Sequence, residues 1–444
     1  MRADDREILR LAVPAFLALV AEPLFLLADA IVVGRLGTAE LAGLGLAAVV
    51  LQTAVGLCVF LAYGSTAVVS RRWGAGDLRG ALTQGLDGIW LAVVLGVAIT
   101  AIGLVFGPAL IDGFGAEAAV EDQAITYLEV AVLGVAPLLV MLAATGVLRG
   151  LHDTRTPLVV AVAGNAINIV LNVALVHGFG SIDGLGIVGA AIGSVVAQVA
   201  SALALVAVVV RAARAQRCPL APRTAGVRAA ARAGSALIVR TVTLRAAIVL
   251  AAFAVTTGAD GAAADIAAHQ LAMTLWGFLA FVLDAIAIAA QAITGRHLGA
   301  GDVERVRAVT SRMVAWGRWS GVATGLLLAA TSPLLGPLFT ADAEVHRLLV
   351  PVLLVAAAGQ PLAGVVFVLD GVLIGAGDGR YLAYAGLAVL VAFVPVVLVV
   401  SAGGGGLVGV WVAFVVVFMG GRWLTLTRRA RGDQWLLTGP TLSP

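Results

Sequence analysis

The tetrapeptide GAGD at residues 74–77 occurs a second time at residues 299–302, a displacement of 225 residues. The same displacement carries FGAEAAV at 114–120 onto FTADAEV at 339–345, GVLRGLHDTR at 146–155 onto GVLIGAGDGR at 371–380, and LAGLGLA at 41–47 onto IAAHQLA at 266–272. One match would mean little, but four at a single offset indicate an internal duplication. The chain therefore contains two halves that share one architecture.

The composition is that of a membrane protein. Of the 444 residues, 61% are hydrophobic and only 12% are charged, whereas soluble domains carry about 25% charged residues. Apolar segments of spanning length, about 20 residues each, recur from residue 11 to residue 427 and leave no room for a large soluble domain. We predict twelve transmembrane helices, at residues 11–34, 41–70, 81–111, 122–150, 157–177, 185–210, 234–257, 266–295, 313–338, 347–375, 381–401 and 407–427.

The charges in the loops predict the orientation of these helices. Alternate loops hold most of the arginines, and the opposite loops hold acids with few arginines: Asp112, Glu117, Glu121, Asp260, Asp265, Asp342 and Glu344. The positive-inside rule then places both termini in the cytoplasm, which also explains the pI of about 9.3 without a nucleic-acid partner. Because each half has an even number of helices, the halves run parallel and are related by a pseudo-two-fold axis along the membrane normal.

The predicted fold is all-α and integral to the membrane, with two pseudo-two-fold related six-helix lobes. The amino-terminal lobe covers residues 1–210, a cytoplasmic basic linker covers 211–233, the carboxy-terminal lobe covers 234–427, and a cytoplasmic tail covers 428–444. The linker is rich in arginine, so contact with anionic membrane lipid is an additional role for it.

The first predicted helix contains two carboxylates, Glu22 and Asp29, inside an apolar run. A charge at the bilayer centre costs roughly 2.5–3.5 kcal/mol, so such a residue normally faces a cavity or a partner. Seven residues fall about 20° short of two helical turns, so both acids lie on one face. Pro14 and Pro23 each remove a backbone hydrogen bond, so we predict that this helix can act as a hinge.

A stripe of amides runs along the fifth predicted helix, where Asn165, Asn168 and Asn172 share one face. Ser194 and Gln198 form a second polar stripe in the sixth helix. Hydrogen bonding between helices is one explanation, because Asn, Gln and Ser serve this role in membranes. A binding site that includes Asn168, Asn172 and Ser194 is the other.

The second half has its own polar residues, which are not repeats of those in the first half. Asp284 and Asp370 are its intramembrane acids, and the displacement of 225 places neither of them on an acid of the first half. His269, Gln270 and Arg245 complete a candidate substrate cleft or second acidic site. The alternative is that Arg245 neutralises Asp284 or Asp370 in a buried ion pair, and that His269 is a solvated residue at a helix end.

The sequence offers no motif of a soluble enzyme. A Walker loop, HExxH and GxSxG are all missing, and HDTR at 152–155 fits a charged turn better than a catalytic site. We therefore predict neither catalytic residues nor a cofactor. Without a nucleotide-binding motif, uphill transport would draw on an ion gradient, and one ion moving down 100 mV supplies about 2.3 kcal/mol.

Several segments together resemble the multidrug and toxic compound extrusion (MATE) family, and within it the DinF-like subfamily. These segments are LAVPAF (11–16), LADAIVVGRLG (27–37), RRWGAGD (71–77), GNAINIVLN (164–172), IAAHQLAMTLW (266–276), LDAIAIAAQA (283–292) and FVLDGVLIGAGD (367–378). The resemblance spans residues 8 to 427. It implies a monomeric antiporter with a central cleft between the lobes, in the plasma membrane, specifically a bacterial inner membrane.

The resemblance also implies a function and a site. Such proteins export amphipathic, often cationic, organic compounds in exchange for H⁺ or Na⁺. The acid of the first helix in DinF-like members matches Asp29, and its partners match Asn168, Asn172 and Ser194. The family usually has an aspartate at the position of Asn172, so this chain has one titratable group fewer there.

From this we predict that Asp29 is the main coupling group, that its protonation lets the first helix bend and release substrate, and that Glu22 is a second acid in the same cleft. Na⁺ near Asp29 is the one metal ion that we consider. A flippase for a lipid-linked precursor and a metabolite exporter of the same superfamily are the alternatives.

Overall fold

The computed structural model of the chain describes residues 3–179, 182–257 and 263–441. Within these residues twelve helices are long and apolar enough to cross a membrane, which confirms the predicted all-α fold. They are α1 (Asp4–Gly34), α2 (Thr38–Gly74), α3 (Leu78–Asp112), α4 (Ala118–Gly150), α5 (Arg155–His177), α6 (Ile187–Ala215), α7 (Thr224–Thr257), α8 (Ala263–Gly299), α9 (Val303–Phe339), α10 (Ala343–Gly375), α11 (Gly379–Ala402) and α12 (Gly406–Arg431). Asp260 and residues 442–444 of the predicted tail lie outside the described residues.

Small irregularities interrupt this helical pattern. The strands β1 (Gly178–Phe179) and β2 (Ile182–Asp183) pair between α5 and α6. A turn at Cys58 divides α2 into two segments, and a 3₁₀ turn, Val132–Gly134, lies within α4. Near its middle α12 contains a π-helical segment, Phe414–Met419.

The repeated GAGD sequence makes the same helix-to-helix corner in both halves. Gly76 and Gly301 have φ angles of 79° and 78°, a left-handed conformation that glycine adopts without steric strain. Asp77 and Asp302 follow, and their carboxylates accept hydrogen bonds from backbone N–H groups in the first turns of α3 and α9. Glycine thus ends one helix and aspartate begins the next, which explains why this motif survives in both copies.

The chain divides into two compact units whose boundary falls inside two helices. The amino-terminal unit contains Val13–Gly234, and the carboxy-terminal unit contains Ser235–Pro444 together with Met1–Ala12. The first turns of α1 therefore belong with the second half of the sequence, and the first turns of α7 belong with the first half. The lobe boundaries given above, 1–210 and 234–427, remain predictions.

Ion pairs attach the beginning of α1 to the carboxy-terminal unit. Asp5, which is 3% exposed, accepts two hydrogen bonds from the Arg312 guanidinium, at 2.7 and 2.9 Å, and one from Trp316 Nε1 at 2.9 Å. The neighbouring acids form ion pairs as well, Glu7 with Arg296 and Asp4 with Arg305. The acidic start of α1 is therefore a packed segment of this unit.

The amino-terminal unit holds the beginning of α7 in a comparable way. The Arg223 guanidinium, just before α7, pairs with the buried carboxylate of Asp87 in α3. Trp90 lies three residues after Asp87 on α3, and its Nε1 donates a hydrogen bond to the carbonyl of Leu220 at 2.9 Å. Since α6 ends at Ala215 and α7 begins at Thr224, only residues 216–223 of the predicted linker are non-helical.

Candidate coupling site around Asp29

Asp29 lies in the second half of α1 and is 4% exposed. The helix presents it toward α5 and α6, and one turn further along Val32 and Val33 enter an apolar cluster of the amino-terminal unit that also contains Leu44 and Val176. A carboxylate in such a setting needs polar partners, because an unpaired buried charge carries a large desolvation penalty.

Three of the side chains predicted from the sequence supply those partners. Asn172 Nδ2 donates to Asp29 Oδ1 at 2.5 Å, and Ser194 Oγ lies 3.3 Å from Asp29 Oδ2 as the second donor. Asn168 supports both of them: its Nδ2 donates to Ser194 Oγ at 3.0 Å, and its Oδ1 lies 3.3 Å from Asn172 Nδ2. Asn168 and Asn172 are fully buried, so four side chains from three helices form one closed network.

Glycine at position 193 allows α5 and α6 to approach closely enough for this network. A Cβ atom at Gly193 would lie 2.0 Å from Asn172 Oδ1 and 3.2 Å from the backbone nitrogen of the same residue. One turn earlier on α6, a Cβ at Gly189 would lie 2.5 Å from the carbonyl oxygen of Leu175. Small residues at such positions let membrane helices pack backbone against backbone, and here they fix the distance between Asn172 and Ser194.

Tyr127 of α4 is a member of the site that the sequence did not reveal. It is 6% exposed, and its phenol lies close to Asp29 and Ser194. A tyrosine in an apolar helix is common, and its position along α4 follows no polar stripe. Only the packing of α4 against α6 places it here.

A second contact joins α5 to α1 near the proline. Asn165 Nδ2 donates to the backbone carbonyl of Ala21 at 2.7 Å. Pro23, two residues later, lacks the N–H that would complete the helical hydrogen-bond pattern, although α1 continues as a helix through both Pro14 and Pro23. Asn165 of α5 thus binds α1 next to its weakened turn. About two turns further along α1, Asp29 forms another contact between α1 and α5, through Asn172.

The network can serve both protonation states of Asp29. Ionised, Asp29 accepts from Asn172 and Ser194; protonated, it has an O–H to donate and needs an acceptor. Asn172 Oδ1 is buried and accepts no hydrogen bond within the part of the chain that the structure describes. Rotation of that amide would turn its oxygen toward the protonated carboxyl and give the new O–H an acceptor, in exchange for the donation from Asn172 to Asn168.

Glu22 is placed differently from Asp29. Its side chain is accessible to solvent, and it has no part in the hydrogen bonds that surround Asp29. The two acids share a helix, but only Asp29 has been brought against α5 and α6. The role of Glu22 as a second acid of the site stays a prediction.

In the carboxy-terminal unit, Asp370 of α10 has two arginine partners. Arg422 of α12 donates to Asp370 Oδ1 at 2.9 Å, and Arg240 of α7 forms an ion pair with Asp370 Oδ2. Arg245, the partner considered from the sequence, is exposed instead. Five residues along a helix correspond to a rotation of about 140°, so Arg240 faces the interior and Arg245 does not.

His269 and Gln270 lie apart from the contacts described for Asp370. His269 is buried, and its Nδ1 accepts a hydrogen bond from Trp411 Nε1 at 3.2 Å. It therefore belongs to an aromatic cluster and is not a solvated residue at a helix end. Gln270 is exposed and Asp284 is half-buried. The five candidates are thus distributed over several places, and a common cleft formed by them stays a prediction.

Comparison with known proteins agrees with this architecture. The model of the MatE family matches residues 14–174 and 235–399. Protein DETOXIFICATION 44, chloroplastic, of Arabidopsis thaliana is 31% identical over 452 residues, covering 98% of this chain and 83% of that protein. DNA damage-inducible protein F of Escherichia coli is 28% identical over 305 residues, covering 68% of this chain and 65% of that protein.

Solved structures show the same fold. A multidrug resistance MATE family transporter of the MOP superfamily, in an outward-facing conformation, matches with a TM-score of 0.85 at 22% identity over 96% of each chain. A MATE transporter in a straight conformation matches with a TM-score of 0.84 at 23% identity over 96% of each chain. With twelve membrane-spanning helices and a family match across both halves, the chain belongs to the MatE family, whose members are transporters rather than enzymes.

Proposed function

We propose that the protein is a secondary active antiporter that exports amphipathic, often cationic, organic compounds in exchange for H⁺ or Na⁺. One observation carries the proposal: Asp29 is buried in a membrane-spanning helix and held by Asn172 and Ser194 from two other helices. Intramembrane carboxylates are rare and mark ion or proton pathways. With an amide at position 172, Asp29 binds its ion as the one carboxylate of the network.

In this proposal, ion binding is coupled to transport through the hydrogen bonds by which Asp29 attaches α1 to α5 and α6. Hydrogen bonds to a charged group contribute about 1.5–3 kcal/mol each. Neutralising Asp29 weakens two of them at once, and this change is comparable with the roughly 2.3 kcal/mol that one ion supplies per 100 mV. With that attachment weakened, α1 bends at Pro23 and the substrate is released. Substrate binding and protonation thus favour different positions of the same helix.

The cellular location, the oligomeric state and the subfamily of the protein form part of the same proposal. The distribution of arginines over the loops supports cytoplasmic termini in a plasma membrane, and we assign the protein to a bacterial inner membrane as a monomer. The similarity to DNA damage-inducible protein F of Escherichia coli supports the DinF-like subfamily.

Exchange in proteoliposomes tests the proposal. Asp29→Asn keeps the shape of the side chain but removes its titration, so we expect gradient-driven export to be lost while the folded fraction stays at the wild-type level. Asp122→Asn, the same change at an exposed acid of α4, is the matched control, and we expect it to keep most of the activity. Unimpaired export by Asp29→Asn would refute the proposal. Collapsing the pH and sodium gradients separately then identifies the coupling ion.

A further inference from the structure

The amino-terminal unit has a cationic cavity away from the Asp29 network. Its volume is about 340 Å³, and it lies between the corner that joins α2 to α3 and the segment that precedes α7. Its polar lining consists of Arg72, Asp77, Arg79, Gly80, Thr83 and Arg223. Three guanidinium groups therefore face one carboxylate around a space large enough for a small charged group.

The charges of this lining are fixed by local contacts. Asp77 accepts from the backbone N–H of Gly80 and pairs with Arg72 at 2.8 Å, and these contacts lower the pKa of its carboxyl. Arg223 pairs with Asp87, a buried carboxylate outside the lining, and that hydrogen bond raises the pKa of the guanidinium. Arg79 is exposed, and the described hydrogen bond of its guanidinium is a donation at 3.3 Å to the backbone carbonyl of Arg217. The cavity thus keeps an excess of positive charge.

The duplicated half of the chain provides an internal comparison. The displacement of 225 residues carries this corner onto the corner between α8 and α9, where arginines also cluster. There three arginines pair with carboxylates from the start of α1, as Arg296–Glu7, Arg305–Asp4 and Arg312–Asp5, and a fourth, Arg307, pairs with Asp433 of the tail. In the amino-terminal unit the corresponding segment is the basic linker, which adds Arg217 and Arg223 and no acid. In the amino-terminal half Arg72 and Arg223 also have carboxylate partners, but the described contact of the Arg79 guanidinium is with a backbone carbonyl, which leaves its charge for an external anion.

We propose that this cavity binds the phosphate headgroup of an anionic phospholipid. Arginine pairs with phosphate through two parallel hydrogen bonds, and Arg79 has donors available for this. The cavity lies at the ends of α2 and α3, where helices leave the hydrocarbon layer and lipid phosphates are found. Polybasic segments beside membrane helices attract anionic lipids in the same way, and the predicted linker, which contributes Arg223 to the lining, also carries the exposed arginines Arg211, Arg214 and Arg217.

Lipid binding to the purified full-length chain tests the proposal. Phosphatidylglycerol and phosphatidylcholine are titrated separately, and bound lipid is counted by native mass spectrometry. We expect phosphatidylglycerol to bind more tightly, and Arg79→Gln to weaken it roughly tenfold, the effect of losing one charge-assisted pairing. Arg155→Gln, which alters another exposed arginine of the same unit, is the control and should bind as the wild type does.

Two outcomes would overturn the proposal. Equal binding of phosphatidylglycerol by the Arg79 and Arg155 variants would show that the cavity is not the site. If glycerol phosphate or inorganic phosphate binds as tightly as the lipid, the occupant is a soluble phosphate. Arg79→Lys keeps the charge without the paired donors, so intermediate affinity is expected from it. All of these readouts are independent of the coupling role of Asp29.

Discussion

The buried Arg240–Asp370–Arg422 cluster predicts an ordered series of stability losses. Asp370 is 4% exposed and Arg422 is 7% exposed, so neither charge can be solvated after its partner is removed. Removing one partner of a buried pair costs about 3–5 kcal/mol, and we expect Asp370→Asn to lose that amount because two arginines then face each other. Arg422→Gln should lose less, because Arg240 and Asp370 remain as a neutral pair.

A double-mutant cycle in detergent measures this prediction. The variant with both Asp370→Asn and Arg422→Gln should be more stable than Asp370→Asn alone, since it removes one of the two opposed charges; such coupling is expected only for residues in contact. Unfolding is measured for all four proteins, and export is compared per folded molecule. If Asp370→Asn unfolds as the wild type does but has lost export, Asp370 is a transport residue and the structural explanation is refuted.

Three further substitutions probe the packing around Asp29. Asn165→Leu removes an amide that holds a carbonyl of α1, and we expect a loss of about 1 kcal/mol in unfolding free energy; an unchanged value would contradict that contact. Gly193→Ala forces a methyl group against Asn172 and should lower the unfolding free energy by about 1–3 kcal/mol. Gly64→Ala, in open space, is its control and should change the unfolding free energy little. Equal effects of the two substitutions would contradict the close packing of α5 and α6 at Gly193. Asn172→Asp places a second carboxylate beside Asp29. Because such a pair can hold Na⁺, sodium-stimulated export should rise. A sodium dependence equal to that of the wild type would contradict a role of position 172 in the choice of the coupling ion.

Helical periodicity predicted the polar stripes of the Asp29 network, and the family resemblance predicted that Asn168, Asn172 and Ser194 are the partners of Asp29. Asn168 and Asn172 stand four residues apart in an apolar segment, and a buried amide needs a partner wherever it points. Their alignment on one face left hydrogen bonding between helices and a binding site as the two explanations. Tyr127 gave no such signal, because its contact with Ser194 depends on how α4 lies against α6.

The second half was harder to predict because its charges pair across helices that are distant in the sequence. Arg422 belongs to GGRWLTLTRRAR at residues 420–431, where an arginine is expected to be a solvated loop residue near the end of a membrane helix. Whether Arg240 or Arg245 reaches Asp370 depends on the rotation of α7 about its axis. The burial of Asp5 could not be predicted from the sequence either, since an acidic residue at the start of a helix is usually solvated.

Asp87 and Arg312 occupy equivalent positions in the two halves. Each forms an ion pair with the beginning of another helix, but the two side chains have opposite charges. The displacement of 225 residues carries Asp87 onto Arg312; Asp87 pairs with Arg223 at the beginning of α7, and Arg312 pairs with Asp5 at the beginning of α1. Each unit thus holds the first turns of a helix whose remainder belongs to the other unit. If the charges were alike, either helix start would fit either unit. Because they are reversed, a wrong docking would oppose Asp5 to Asp87 or Arg223 to Arg312, and like-charge contact excludes it. The reversal therefore assigns α1, the helix that carries Asp29, to one partner only.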